Sequence, residues 1–283
     1  MARERTTWRI GGRTLSFPPA LGVGIVNVNE ESFFPGARSG TPERAVEDGI
    51  ALVDAGFDLI DVGAVPARSG PPVPADEEAA ALVPAVEGLA AATEAAITAD
   101  TFSLGVARRA VEAGAAAIND ISGARDPELY DLAAESGCGL VLMHIEGPPR
   151  EDRPAPRYDD PIAVLRAWFA DRIEEAIARG VNPEQLALDP GFDFDLGVED
   201  GVEVLRRLDE LHELGRPLFV ALSRKDFLGA VAAGSWEERA SVEEREWATA
   251  SATALAVANG ADLLRLHDRS ALQALRIAEG IAA

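Results

Sequence analysis

Cysteine occurs once in 283 residues, at Cys138, which excludes an internal disulfide and any multi-cysteine metal site. Its setting, "GCGLVLMH", makes it a small buried hydrophobe rather than a nucleophile. Basic residues are scarce: 26 Lys and Arg stand against 48 Asp and Glu, a formal charge of −22. A surface of that sign repels nucleic acid and anionic lipid headgroups, so neither is expected as a partner. There is no run of about 18 apolar residues and hence no expected membrane span. The opening "MARERTTWRIGG" lacks an apolar signal core, which gives a cytoplasmic expectation. Neither G-x-G-x-x-G nor G-K-[ST] occurs, which weakens the case for an open, nucleotide-binding doubly wound sheet.

What is present is enough apolar material for a large core: 47% hydrophobic residues at a mean hydropathy near zero, which argues against disorder. One pattern recurs, a helix-period segment, a Gly stop, then a short apolar run with a polar end. "ALVDAGFDLIDVG" (51–63), "AVEAGAAAINDISG" (110–123), "LAAESGCGLVLMH" (132–144) and "AVANGADLLRLHD" (256–268) all show it. Gly56, Gly114, Gly137, Gly180 and Gly260 sit where a helix ends in a left-handed residue. The apolar runs are short and continuous rather than alternating, as suits parallel strands covered on both faces. Eight such strands start near 21, 58, 95, 115, 138, 185, 217 and 261. Helices are expected over 41–55, 74–93, 103–113, 126–136, 160–179, 199–214, 242–259 and 269–282, the first with a Thr41 cap and Pro42 just inside it. Eight βα units without a compositional break predict a single (β/α)8 TIM barrel over 20–283. Residues 1–19 are expected to form an arm or hairpin at its bottom, with "WRIGGRTLSF" as two strands around Gly11-Gly12.

In such barrels the C-terminal strand ends hold the active site. Their polar residues here are Asn27, Asp61, Asp100, Asn119 with Asp120, His144, Asp189, Ser223-Arg224-Lys225, and Arg265 with His267 and Asp268. One such residue is an ordinary helix cap; one or more from every strand points to a site. Asp100, Asn119 and Asp189 suit the N–H edge of a neutral heterocycle such as an aminopyrimidinone, whose donors relieve the repulsion between two carboxylates. Lys225, Arg265 and His267 suit a phosphate or pyrophosphate. Asn27 could orient a hard cation, although one amide is a weak metal signal. His144 reads either as a pocket wall or as a catalyst, and His212, inside the charged segment 199–214, as a surface residue.

Across nearly its whole length the chain resembles the dihydropteroate synthase family. "GIVNVNEESFFPGA" is similar to the first-strand motif G-I-[LV]-N-V-T-P-D-S-F-S-D-G-G, and "ITADTFSLGVARRAVEAGAAAINDISG" to the third and fourth strands. "LMHIEG" resembles L-M-H-M-x-G, "LALDPGFDF" resembles D-P-G-[IF]-G-F, "ALSRKDFLG" resembles S-R-K-S-F-[IL]-G and "LLRLHD" resembles R-V-H-D. The resemblance implies a pterin site of Asp100, Asn119, Asp189, Lys225 and Arg265, with Met143 against the ring. It implies a pyrophosphate site of Asn27, Arg265 and His267, with Asn27 touching a Mg²⁺. Asn27, Lys225, Arg265 and His267 would be the catalytic set, and Arg68, Phe194 and Ser223 would hold para-aminobenzoate. Ser223 is expected to open the next helix and offer backbone N–H groups to the carboxylate. The implied reaction is displacement of pyrophosphate by the aryl amine at a cation-like methylene carbon, and the implied assembly a homodimer through late barrel helices.

The departures cluster in loops that close over the second substrate. The second-strand loop G-G-E-S-T-R-P-G is "GAVPARSG" here, keeping Arg68 but placing Ala67 and Ser69 for Thr and Pro. The first loop keeps Ser32 and Phe33 but has Glu31 and Pro35 at its two Asp positions. After Asp189, Gly-x-Gly-Lys becomes Asp193-Phe194-Asp195-Leu196. Two readings follow, an active synthase with unusual loops, or a paralogue that binds pterin without making dihydropteroate. A folate-dependent methyltransferase, which lacks the S-R-K and R-x-H pair, matches less well.

Overall fold

A computed structural model describes residues 5–28, 39–67, 70–151 and 155–282. Strands β1 (Thr6–Ile10) and β2 (Arg13–Phe17) form an antiparallel hairpin around Gly11-Gly12. Eight parallel strands follow: β3 (Leu21–Asn27), β4 (Leu59–Gly63), β5 (Ala96–Asp100), β6 (Ala117–Asp120), β7 (Gly139–Met143), β8 (Leu186–Asp189), β9 (Phe219–Val220) and β10 (Leu263–Leu266). Their order, β8-β7-β6-β5-β4-β3-β10-β9, is that of a sheet rolled on itself. The last seam is closed by the Leu188–Leu218 bridge and by the Leu188 N–H donating to Pro217 O at 2.9 Å. The expected (β/α)8 TIM barrel is therefore present.

Helices α1 (Pro42–Asp54), α2 (Ala75–Ala92), α3 (Leu104–Glu112), α4 (Glu128–Ser136), α5 (Pro161–Ala178), α6 (Val198–Arg206), α7 (Asp226–Ala233), α8 (Glu246–Ala258) and α9 (Arg269–Ala282) surround it. Thr41 caps α1, accepting the Arg44 N–H at 3.2 Å. The five stop glycines all have φ between +74° and +110°. Three expectations are corrected. The segment 199–214 is α6 followed by a separate 3-10 turn, Leu208–Leu214. His212 is not on the surface: that turn tucks it in, with Nε2 2.7 Å from Gly260 O. Helix α7 is missing from the expected spans, although Ser223 is expected to open a helix; it starts three residues later, at Asp226, and its "DFLGAVAA" is too short and too evenly apolar to show a clear helical period.

The barrel interior is layered. Val23, Leu59, Ala96, Ala117, Val141, Ala187, Phe219 and Leu263, one from each strand, form an apolar cluster with Trp8, Ile10 and Phe17 of the hairpin. The hairpin thus plugs the N-terminal end, anchored by Trp8 Nε1 donating to Gln185 O at 2.8 Å. Residues of opposite parity, such as Ile60, Val62, Ile97, Leu140, Leu188 and Leu264, join the larger core under the helices. Because side chains alternate along a strand, the residues two or four positions beyond the plug point back into the barrel. They are Asn27, Asp61, Thr98, Asp100, Asn119, Met143, Asp189, Ser223, Arg265 and His267. Strand phase brings these strand-end residues to one mouth.

Candidate active site

Arg265 is the hub. Its Nε donates to Asp61 Oδ2 and its Nη2 donates to Asp100 Oδ2 at 2.7 Å. Asp61 is fully buried, accepts from the Thr98 hydroxyl on Oδ1, and accepts from Asn119 Nδ2 at 3.1 Å. Burial works against the Arg265 charge, but Asp61 and Asp100 more than offset it and hold the guanidinium above its ordinary value. Asp100 is pushed up to about 7, chiefly by burial, with Arg265 pulling the other way and Asp61, Glu78 and Asp120 adding to the rise. Register places Asn27, Gly63, Asp100 and Asn119 in one row across β3 to β6. A Cβ on Gly63 would lie 3.4 Å from Asp100 Cβ and 3.6 Å from Asn27 Oδ1, ordinary contact distances, so Gly63 sits between those two side chains in the row.

Asn119 holds one end of the cavity floor. Its Nδ2 is committed to Asp61, while its buried Oδ1 has no hydrogen-bond partner. A buried acceptor left open costs free energy unless a ligand donates to it. Asp189, two strands along on β8, accepts the Gly191 N–H at 2.8 Å and is pushed up to about 6 by burial, with Gly191, Lys225 and Arg265 opposing. Gly191 has φ +76°, and a Cβ there would overlap His144 O. Gly191→Ala is expected to destabilise the fold by about 2–3 kcal/mol and to displace Asp189; a urea melt with an unchanged midpoint contradicts this.

Lys225 precedes α7 as its N-cap residue, with Nζ 4.7 Å from the centroid of the Phe194 ring. Phe194 belongs to a small apolar cluster with Ile121, Met143, Ile145, Ala67 and Phe102. That cluster supplies apolar surface near the polar strand ends. His267 stands over Ser223: its Nδ1 is 2.8 Å from Ser223 Oγ, which also accepts the His267 backbone N–H at 3.2 Å. Burial, then Arg265, Arg224 and Lys225, push the imidazole down to about 3, so it is neutral. Ser223 Oγ, with one proton and two lone pairs, thus fixes the orientation of the ring whichever nitrogen carries the proton.

The structure separates the strand-end residues by parity. Asp120 turns away, and its carboxylate receives the Ser122 and Ala124 N–H groups, an Asx-type turn. His144 is fully buried, its ring centroid 5.2 Å from that of Trp168 and 6.4 Å from that of Tyr158, and its parity along β7 is opposite to that of Met143. Asp268 pairs with Arg224 at 2.8 Å. Ser223 does not open a helix, since α7 begins at Asp226 and the first N–H groups of α7 are spent on Asp193. Arg68 and the altered first-loop positions lie outside the described residues. Asp61 and Thr98 are the participants to which sequence reasoning gave no role; their parity with Asp100 and Asn119 was the available signal.

Comparison with known proteins adds to this geometry. Residues 23–267 match the family model described as pterin binding enzyme. The chain is 38% identical over 269 residues to the dihydropteroate synthase of Mycobacterium leprae, covering 93% of this chain and 94% of that protein. It is 36% identical over 267 residues to the inactive dihydropteroate synthase 2 of the same organism, covering 91% and 88%. Its structure superposes on Xanthomonas albilineans dihydropteroate synthase with 4-aminobenzoic acid at a TM-score of 0.86 and 36% identity, covering 98% and 99%.

Proposed function

The chain belongs to the pterin-binding enzyme family, and from that premise we propose that it condenses 6-hydroxymethyl-7,8-dihydropterin pyrophosphate with para-aminobenzoate, giving 7,8-dihydropteroate and pyrophosphate. The observation that carries this is the convergence of Asp100, Asn119, Asp189, Lys225, Arg265 and His267 on one mouth, with an unfilled buried acceptor on Asn119. Asp100, Asp189 and Asn119 Oδ1 accept from the N–H groups of the aminopyrimidinone. Lys225 donates to its ring acceptors, and Met143 and Phe194 supply the apolar wall. The pyrophosphate lies toward Arg265, His267 and Asn27.

In the reaction the aryl amine nitrogen forms a bond to the methylene carbon as the carbon–oxygen bond to pyrophosphate breaks. The bonding pair leaves with the oxygen, and the amine gives up a proton to solvent. Charge therefore develops on the departing oxygens, where prepositioned cations and donors act most strongly. Arg265 is held in place by Asp61 and Asp100 before substrate arrives, and His267 presents a neutral imidazole. No covalent nucleophile is required. The residues fit a Mg²⁺ of a particular kind. Among the described residues no cluster of three or more His, Cys, Asp or Glu could hold a metal. One amide oxygen, Asn27 Oδ1, therefore suits an ion held mainly by substrate oxygens and water. When bound, it would neutralise charge on the leaving group.

The test is to incubate purified protein with the pterin pyrophosphate, para-aminobenzoate and Mg²⁺ and to follow pyrophosphate release. Tight pterin binding with no release favours the second reading, a pterin-binding paralogue, which Asp193 and Asp195 at two Gly positions and the inactive M. leprae relative keep in view. Lys225→Ala is expected to weaken pterin pyrophosphate about thirtyfold, the loss of one charge-assisted partner; unchanged calorimetric affinity removes Lys225 from the site. Homodimerisation is part of the proposal: Trp247 and Leu255 of α8, 81% and 43% exposed, and Val231 of α7, 51% exposed, offer apolar area for a second copy. Trp247→Glu should then lower the mass seen by light scattering from two chains to one. A cytoplasmic place accords with the lone, buried cysteine and with no described helix being long and apolar enough to cross a membrane.

A further inference from the structure

Arg150 ties the loop after β7 to the loop after β4. Its backbone has φ +66°, in the left-handed region disfavoured for residues with a Cβ. Such a conformation persists where the surroundings fix it, and the side chain shows how. Nη1 donates to Pro66 O at 2.6 Å and Nη2 donates to Pro71 O at 2.7 Å. The guanidinium therefore holds the β4–α2 connection at two points, while its Nε is buried without a hydrogen-bond partner. Gly70 makes room for it: a Cβ there would come within 2.5 Å of Nη2. The charge also acts on Glu78 of α2, a buried carboxylate that accepts the Thr101 hydroxyl at 2.5 Å. Burial raises the Glu78 carboxyl, and Thr101 and Arg150 oppose the rise.

The connection held in this way contributes to the site. Ala67, next to Pro66, packs in the apolar cluster with Ile121, Met143, Ile145 and Phe194. Ile145 lies on the same loop as Arg150, so both loops that the guanidinium joins supply part of that cluster. The ring of an aryl amine carries no N–H edge for Asp100, Asn119 and Asp189, and apolar surface is what suits it. We propose that Arg150 is a positioning residue for the aryl amine: it pins the β4–α2 connection at two carbonyls, so that Ala67 stands in the apolar wall before that substrate arrives. The inference rests on the synthase reading and deepens it by naming a residue that prepares the site without touching the reacting atoms.

The physical basis is preorganisation: a loop already ordered loses less entropy when the ligand binds, which changes affinity rather than the chemical step. The experiment measures kcat and the KM for para-aminobenzoate at saturating pterin pyrophosphate and Mg²⁺, with calorimetric affinity for a pterin lacking the pyrophosphate. Arg150→Met should raise that KM about tenfold and leave kcat and pterin affinity within about threefold of wild type. Arg150→Lys keeps the charge that acts on Glu78 but cannot fork to two carbonyls, so it should fall between. An unchanged KM in Arg150→Met overturns the proposal. So does full recovery in Arg150→Lys, which makes the effect one of charge at Glu78, and so does an equal loss of pterin affinity, which makes it a loosening of the whole mouth. Hydrogen exchange over residues 64–73 reads the clamp without turnover and should quicken about tenfold in Arg150→Met. Gly70→Ala should quicken it less in the Arg150→Met background than alone, since the guanidinium it would displace is already gone; additive effects contradict the clamp. If the wild type releases no pyrophosphate, it is the synthase reading that fails. Exchange then still decides whether Arg150 holds the loop, and calorimetry of para-aminobenzoate on protein loaded with the pterin pyrophosphate takes the place of KM.

Discussion

Arg265→Met lowers kcat/KM by about a thousandfold or more and costs about 3–5 kcal/mol of stability; that is the expected result of removing the hub. The catalytic loss follows from taking away the cation best placed to meet charge on the leaving pyrophosphate. The stability loss has a different origin. Asp61 is fully buried and would keep only Thr98 and Asn119 as partners, leaving a buried charge with no counter-ion. Asp100, already raised to about 7 by burial, would rise further without Arg265. A carboxyl whose folded pKa exceeds its unfolded value near 4 stabilises fully only below that unfolded value, and the contribution is lost as pH climbs through the folded pKa. The deficit of the variant should therefore be small at pH 5 and large at pH 8. Urea unfolding at the two pH values reads this, and an equal or smaller deficit at pH 8 contradicts the ion-pair account. Arg265→Lys keeps the charge but not the fork that reaches Asp61 and Asp100 together, so it should fall between.

Affinity for the pterin should rise about a hundredfold from pH 5.5 to pH 8. Binding the aminopyrimidinone N–H groups needs Asp100 and Asp189 as ionised acceptors, and burial holds them near 7 and 6 in the free protein. At pH 5.5 most molecules carry a proton on one or both and must release it to bind, at about 1.4 kcal/mol for each pH unit below a pKa. By pH 8 both are ionised. His267, held near 3, stays neutral across the window and contributes no slope. Calorimetry with a pterin lacking the pyrophosphate isolates the effect from titration of the phosphates. Asp100→Asn should remove the larger part of the rise, and a profile as steep in that variant as in the wild type would assign the titration elsewhere.

Much of the fold was readable because it rests on local physics. A short apolar run covered on both faces, a helix ended by a left-handed glycine and a polar strand tip each leave a mark within about fifteen residues, and eight repeats of the pattern imply a barrel. For helix α7 only the start near Ser223 was marked and its span was not, and the 3-10 turn that buries His212 depends on its contact with Gly260. For the site, residue chemistry picked out a longer list than the structure uses. Asn119 and Asp120 are adjacent, yet one faces the cavity and the other closes a turn; Met143 joins the apolar wall while His144 packs behind the barrel.

Composition, spacing and motif order by themselves determined the barrel, the family and the set of polar side chains at the strand ends, since these depend on which residues lie near one another along the chain. Only the tertiary structure decided which of those side chains share the mouth. That depends on the phase of each strand relative to the hairpin plug, a one-residue slip of which would turn every side chain to the opposite face. It also decided the pairing of Arg265 with Asp61 and Asp100, and of Asp193 with the start of α7, because those partners are separated by 204, 165, 33 and 34 residues and meet only when the barrel closes.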